Sequence, residues 1–267
     1  MDLGLAGSKA VVTGGSKGMG LAIAETLASE GAGVAVMARN RAALDAAVET
    51  LREAGAPDAV GISVEMADAA SIAAGFATVS QRWGQLNSLV HTIGPSDGYF
   101  EQMDDTEWDA AFALGTMSGV RSIRAALPML RAADWARIVT MSAHSIQRQN
   151  PRIVAYTAAK AALSSVTKNL SKSLAEDGIL VNCVCPGTIV TASFTEQLHD
   201  ILAAEGLDAT NPYDVMTWID SNFHQPCDLG RAGLPEEVAS ITTYLASRRN
   251  GYVTGATVNV DGGSDFV

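Results

Sequence analysis

The chain has 267 residues, 48% of them hydrophobic and 18% charged, which is ordinary for a soluble globular protein. A net charge of −11 argues against nucleic acid or an anionic membrane as partner, because both require a basic face. No charge-free apolar run reaches the length of a membrane span. Met1-Asp2-Leu3 has neither a basic segment nor a long apolar one behind it, so no export signal is expected. Cys183, Cys185 and Cys227 make no disulfide framework and no zinc spacing. They read as buried free thiols, with no metal site expected and the cytoplasm as default location. No linker, repeat or low-complexity stretch divides the chain, so residues 1–267 read as one domain.

Ala10-Val11-Val12 is a short apolar strand, and Leu21 to Ala28 carries apolar residues at helical spacing. Between them runs Thr13-Gly14-Gly15-Ser16-Lys17-Gly18-Met19-Gly20. A strand before and a helix after turn this glycine pattern into a phosphate-site hypothesis. Without Cβ atoms, Gly14, Gly18 and Gly20 admit positive φ and let a pyrophosphate approach the backbone. The helix N-terminus adds unpaired N–H groups and the positive end of its dipole. The competing reading is an ordinary glycine-rich turn.

Val34 to Ala38 is the second strand and ends at Arg39-Asn40-Arg41. In a dinucleotide fold this tip meets the adenosine ribose, where a carboxylate binds the 2′-hydroxyl and an arginine accepts a 2′-phosphate. Here Arg39 follows directly and no carboxylate does, while Lys17 in the glycine turn approaches the same place. Two cations near one dianion favour NADP(H) over NAD(H). As solvated surface charges they would carry no preference.

Arg41 to Ala54 reads as a helix with Leu44, Ala47, Val48 and Leu51 on one face, ended by Gly55-Ala56-Pro57. Val60 to Val64 is a third strand, and Glu65-Met66-Ala67-Asp68 after it is placed to flank the adenine. A helix over Ala69 to Arg82 leads to a fourth strand, Leu86 to Thr92, ending at Ile93-Gly94-Pro95. A long helix runs from Thr106-Glu107-Trp108 towards Leu130, with Thr106 or Asp105 as its cap. Ile138 to Ser142 is a fifth strand, Val154 to Ala175 a helix, and Ile179 to Val184 a sixth strand. Apolar strands alternating with helices indicate a parallel sheet covered on both faces, and right-handed crossovers make it a doubly wound α/β fold. Ligands of such folds lie beyond the carboxyl ends of the strands, where these motifs fall.

Tyr156 and Lys160 stand four apart within a helix and share a face. A phenol ordinarily titrates near 10, and a neighbouring cation favours its phenolate. That pairing suits a proton donor to a carbonyl oxygen. Taken alone, it equally suits an amphipathic surface helix.

It does not stand alone. Thr13-Gly14-x-x-x-Gly18-x-Gly20, Tyr156-x-x-x-Lys160, Pro186-Gly187-Thr188-Ile189-Val190-Thr191, Gly230-Arg231-x-Gly233-x-Pro235-Glu236-Glu237-Val238 and Val260-Asp261-Gly262-Gly263 follow in this order. With them the chain resembles the short-chain dehydrogenase/reductase family over almost its whole length, in the single-domain branch that is 3-oxoacyl-reductase-like. The resemblance implies a mostly seven-stranded parallel Rossmann sheet with helices on both faces. It implies a nicotinamide-dependent oxidoreductase interconverting a small carbonyl compound and a secondary alcohol. Tyr156 would be general acid and base, and Lys160 would hold the nicotinamide ribose hydroxyls. Gly14, Ser16, Lys17, Gly18 and Met19 would surround the phosphates and adenosine ribose. Gly94 would keep the backbone turn after the fourth strand, and Pro186, Gly187, Ile189 and Thr191 would border the nicotinamide. A substrate lid is implied at about 192–228. Its Phe194, Leu198, Leu202, Tyr213, Met216, Trp218 and Phe223 either wall an apolar pocket or pack the lid helices. The last residues often join a subunit interface in this family, so a homotetramer or homodimer is expected.

Three departures from the family pattern stand out. His91-Thr92-Ile93-Gly94 replaces the usual Asn-Asn-Ala-Gly, and Gly115 stands where an asparagine usually helps hold a water. Counting back from Tyr156 puts Ala143 at the position of the substrate-orienting serine, with Ser142 and Ser145 on either side. Adjacent strand residues point to opposite faces, so Ser142 needs a one-residue adjustment and Ser145 a loop rearrangement. Ser142 is preferred as the catalytic serine, and His144 is a further polar candidate. These departures keep open a second reading, a cofactor-binding protein with little turnover acting as a sensor or assembly subunit. The intact Tyr156/Lys160 pair argues against it. A nucleotide-sugar epimerase or dehydratase fits less well, because such chains carry a longer substrate region. Fold resemblance never names a substrate; Arg148 or Arg152 would receive an anionic one.

Overall fold

Strands β1 (Lys9–Thr13), β2 (Gly33–Ala38), β3 (Ala59–Ser63), β4 (Ser88–His91), β5 (Ala136–Met141), β6 (Ile179–Pro186) and β7 (Thr257–Val260) form one parallel sheet in a computed structural model describing residues 2–95 and 98–264. Residues 265–267, among those expected at a subunit interface, lie outside the described residues. The strand order is β3-β2-β1-β4-β5-β6-β7. Chain direction through the sheet therefore reverses between β1 and β4, and the crevice at that switch point opens beyond Thr13 and His91, which pair in register.

Helices α1 (Gly18–Ser29), α2 (Arg41–Glu53), α3 (Ala69–Trp83), α4 (Asp105–Phe112), α5 (Ser118–Ala132), α6 (Val154–Ser173), α7 (Ala192–Ala204), α8 (Pro212–Phe223) and α9 (Pro235–Leu245) complete the regular structure. The central strands are mostly apolar on both sides because alternate residues feed two separate cores. Val12, Val36, Val90 and Val139 pack with Ile23, Leu27, Leu44 and Leu245 on one face. Val11, Met37, Leu89 and Ile138 pack with Ile72, Phe76, Ile123 and Met129 on the other. Each such side chain contributes roughly 1.5–3 kcal/mol of burial, so neither face of the sheet can be left open to water.

The expected long helix is two helices joined by a π-helical turn, Ala113–Met117. It is capped by Asp104, not by Thr106 or Asp105. Asp104 accepts from the Glu107 amide at 2.9 Å, and Glu107 accepts from the Asp104 amide at 2.8 Å. This reciprocal box satisfies two end amides at once, which neither expected cap does. β4 is shorter than expected, and β3 ends one residue earlier, although Val64 still donates to the Ala38 carbonyl at 2.9 Å. β7 is the seventh strand that the resemblance implies, and α7 and α8 lie in the implied lid; like α9, they carry no expected bounds.

Candidate active site

The cleft begins at the glycine turn. Gly14 has φ 76° and Gly18 φ 56°, both in the left-handed region. A Cβ on Gly14 would lie 2.6 Å from Thr92 Oγ1, so the turn closes directly against the strand next door. Lys17 caps α1 with an extended backbone and no side-chain hydrogen bond. The first amides of that helix thus have no side-chain cap, and they fit the anionic diphosphate of a dinucleotide.

Gly14, Ser16, Lys17, Arg39, Glu65, Met66 and Gly94 line one cleft of about 460 Å³. Arg39 Nη1 lies 4.0 Å from Glu65 Oε2, with 77% and 46% of the two side chains exposed. A pair so open to water is weak, and Arg39 can exchange it for a stronger anion. The polar groups of the His91-Thr92 stretch are engaged. Thr92 Oγ1 donates to the Thr13 carbonyl at 2.7 Å. His91 Nδ1 lies 2.8 Å from Thr13 Oγ1 and Nε2 3.0 Å from Ser118 Oγ. Burial, and then the nearby Lys160 charge, lower its pKa to about 3, so the ring is neutral.

Tyr156, Met19, Ser142, Pro186 and Gly187 line an adjoining cavity of about 190 Å³, together with Ala143, His144 and Ser145. A Cβ on Gly94 would lie 3.7 Å from the Tyr156 ring, so the cleft and the cavity meet there. Lys160 lies behind them, 2% exposed, donating to the carbonyls of Ile93 at 2.7 Å and Met141 at 2.6 Å. An ammonium has three protons, so one remains beyond these two bonds. Lys160 Nζ is 5.9 Å from the Tyr156 ring centroid. Burial lowers the Lys160 pKa to about 8, with Cys183 and Cys185 pulling it back up.

The hydroxyls around Ala143 differ in their partners. Ser142 Oγ donates to the Lys160 carbonyl at 3.0 Å. Ser145 Oγ accepts from Thr157 Oγ1 at 3.0 Å. His144 Nδ1 lies 3.2 Å from the Pro186 carbonyl. A carbonyl only accepts, so Nδ1 carries the proton.

The remaining expected site residues lie further out. Thr191 caps α7 by accepting from the Phe194 amide at 3.3 Å, and a Cβ on Gly18 would lie 3.5 Å from its side chain. Ile189 is 7% exposed and lines a separate cavity of about 430 Å³. There the Arg231 guanidinium holds the Glu237 carboxyl down at about 2. The lid aromatics mostly pack with each other. Leu202, Met216 and Trp218 form a small core with Cys227, Phe194, Leu198 and Phe223 pack onto it, and Tyr213 is exposed.

Arg148 does not offer itself to an anion. It donates to the carbonyls of Pro226 at 3.2 Å, Ser264 at 2.8 Å and His224 at 3.1 Å, joining three segments. Arg152 lies over the Phe223 ring at 4.6 Å and near Tyr99 at 6.0 Å. Thr157 shapes the site without being an expected residue, His91 and Thr92 do so from a stretch that stands out only as a departure, and Arg148 does so as a brace and not as the expected anion receiver. The sequence signal for His91 and Thr92 is a polar pair closing an apolar strand where the family usually carries two asparagines. Among the described residues no group of three or more His, Cys, Asp or Glu could hold a metal, and no helix is long and apolar enough to cross a membrane.

A family model described as enoyl-(acyl carrier protein) reductase matches residues 14–265. Dehydrogenase/reductase SDR family member 4 of Caenorhabditis elegans is 32% identical over 259 residues, covering 96% of this chain and 95% of that protein. The 3-oxoacyl-(acyl-carrier-protein) reductase of Chlamydia trachomatis is 32% identical over 264 residues, 97% of this chain and 98% of that one. The crystal structure of L-sorbose reductase from Gluconobacter frateurii, complexed with NADPH and L-sorbose, matches at TM-score 0.92 and 29% identity, covering 100% of both chains.

Proposed function

The chain belongs to the short-chain dehydrogenase/reductase family and is an oxidoreductase of that kind, and from this premise we propose that it interconverts a small carbonyl compound and a secondary alcohol with NADP(H), using Tyr156 as general acid and base. The observation that carries the reading is Lys160, fixed by the Ile93 and Met141 carbonyls beneath a cavity that Tyr156 lines. The nicotinamide, when bound, supplies or accepts the hydride. Tyr156 gives its phenolic proton to the substrate oxygen in reduction and takes it back in oxidation. The Lys160 charge stabilises the phenolate left behind, and its remaining N–H serves the ribose hydroxyls. Gly14, Ser16, Gly18, Met19 and the open end of α1 hold the diphosphate side.

Preference for NADP(H) over NAD(H) rests on Lys17 and Arg39 in one cleft, with Glu65 and Met66 flanking the adenine. A dianionic 2′-phosphate would displace the exposed Glu65 from Arg39. Pro186, Gly187, Ile189 and Thr191 border the nicotinamide in this reading. Residues 1–267 are taken as one domain with a lid over about 192–228, working as a homodimer or homotetramer in the cytoplasm. The alternative of a cofactor-binding protein with little turnover draws on the departures from the family pattern, Gly115 and Ala143 above all.

The test is NADPH oxidation over a carbonyl panel that includes L-sorbose and a 3-oxoacyl thioester, with wild type beside Tyr156→Phe and NADH as control. Turnover that falls by about a hundredfold or more in the variant is expected. NADPH binding without turnover of any carbonyl would favour the alternative. Faster turnover with NADH would overturn the roles given to Arg39 and Lys17.

A further inference from the structure

As hydride reaches a carbonyl carbon, the oxygen gains negative charge before Tyr156 has fully given up its proton. A second donor held beside that oxygen is worth about a hundredfold or more in rate. Ala143 has no group for this work. A hydroxyl has one proton to donate, so the partners of the two neighbouring serines decide between them. Ser142 commits its proton to the Lys160 carbonyl at 3.0 Å. Its proton is therefore spent on α6, although Ser142 also lines the cavity. Ser145 is in the opposite state. Its Oγ accepts from Thr157 Oγ1 at 3.0 Å, which leaves its own proton to be given elsewhere. Both serines are 2% exposed and line the cavity that Tyr156 lines, so the direction of their hydrogen bonds is what separates them. Thr157 follows Tyr156 on α6, so this bond ties the donor to the helix that carries the acid. The Nδ1 proton of His144 is committed to the Pro186 carbonyl at 3.2 Å.

We propose that Ser145 is the second hydrogen-bond donor to the substrate oxygen, that Thr157 is the positioning residue holding it there, and that Ser142 secures α6 instead. The inference rests on the reductase reading. In reduction the carbon takes the hydride, the C=O π pair moves onto oxygen, and that oxygen takes the Tyr156 proton. Ser145 keeps its proton throughout and only bonds to the oxygen.

Ser145→Ala, Ser142→Ala, Thr157→Val and Thr157→Ser are compared with wild type for NADPH oxidation and for NADPH affinity by nicotinamide fluorescence. Ser145→Ala is expected to lower kcat about a hundredfold with the NADPH Kd within about twofold, and Ser142→Ala to lose at least about tenfold less. Thr157→Val should lower kcat about tenfold, and Thr157→Ser should restore it, which a purely structural threonine would not do. A Ser142→Ala loss that equals or exceeds that of Ser145→Ala overturns the assignment. Neutron diffraction from deuterated wild-type crystals reads the same question without turnover or ligand. Deuterium on Ser142 aimed at the Lys160 carbonyl, with that on Ser145 aimed into the cavity, is expected; the exchanged arrangement overturns it. A wild type that turns over no carbonyl defeats the reductase reading, whereas the deuterium positions still decide which serine aims its hydroxyl proton into the cavity.

Discussion

His91 Nδ1 lies 2.8 Å from Thr13 Oγ1, and this bond joins the strand that ends in the glycine turn to the strand that ends beside Lys160. It lies at the switch point of the sheet, beneath the place where the cleft opens. The ring bridges β1, β4 and α5, because its other nitrogen meets Ser118. An imidazole can hold both partners while neutral, donating from one nitrogen and accepting at the other.

That neutrality makes the fold sensitive to acid. Burial first, then the Lys160 charge, lower the His91 pKa to about 3. The unfolded chain, with an ordinary value near 6.5, takes up a proton that the folded chain refuses. The contribution is therefore fully present above about pH 6.5 and is lost as pH falls towards 3, at about 1.4 kcal/mol per pH unit. Urea denaturation of wild type and His91→Gln between about pH 7 and 4.5 should show the steeper loss in wild type. Parallel slopes would mean that His91 is not held neutral.

Lys160 should set the alkaline limit of function. Burial holds its pKa at about 8, against the opposing pull of Cys183 and Cys185. Its proposed work requires the charged form, so NADPH affinity and turnover should both fall as pH rises through about 8. Lys160→Met should lose turnover about a hundredfold or more at every pH and lack this limb. A flat NADPH Kd from about pH 7 to 9.5 in wild type would separate Lys160 from cofactor binding.

Arg39 should act on NADPH alone. A charge-assisted bond to a phosphate is worth about 1.5–3 kcal/mol, so Arg39→Ala should raise the NADPH Kd about 10–100-fold. The NADH Kd should stay within about twofold, since NADH presents a hydroxyl where NADPH presents the phosphate. Titration by nicotinamide fluorescence measures both. An equal loss for the two cofactors would assign Arg39 to something they share.

What could be read beforehand was what short-range pattern fixes. Val11 and Val12 face opposite cores, so a strand apolar at every position announced a sheet covered on both sides. The glycine turn and the tip of β2 foretold one cleft because their places follow from strand order, and Gly14, Lys17 and Arg39 do share it. Residues whose behaviour depends on distant neighbours were not legible in this way. Nothing local tells that Ser142 turns to the Lys160 carbonyl, or that Arg148 gathers three carbonyls from segments far along the chain. Trp218 and Met216 are apolar in any reading; only the tertiary structure decides that they fill a small core of their own and not a pocket wall.

Gly115 is the departure whose reason is packing. It lies in the π-helical turn between α4 and α5, pressed against two segments of the site. A Cβ there would stand 2.7 Å from the Ala159 Cβ and 3.0 Å from the Pro95 Cγ. Neither neighbour can yield locally, because Ala159 precedes Lys160 on α6 and Pro95 follows Gly94 at the edge of the cleft. Thr116 Oγ1 further binds the turn to α6 through the Ala159 carbonyl at 2.8 Å. Restoring the family's asparagine should therefore harm the protein. Gly115→Asn should lose about 1–3 kcal/mol by overpacking and lower Tm by several degrees. The clash is shared with one methyl group, so the penalty should shrink when Gly115→Asn is made in an Ala159→Gly background. Comparing that pair with Ala159→Gly alone removes the intrinsic cost of a helix glycine, about 1 kcal/mol. The same penalty in both backgrounds would mean that Ala159 is not what excludes a side chain from position 115.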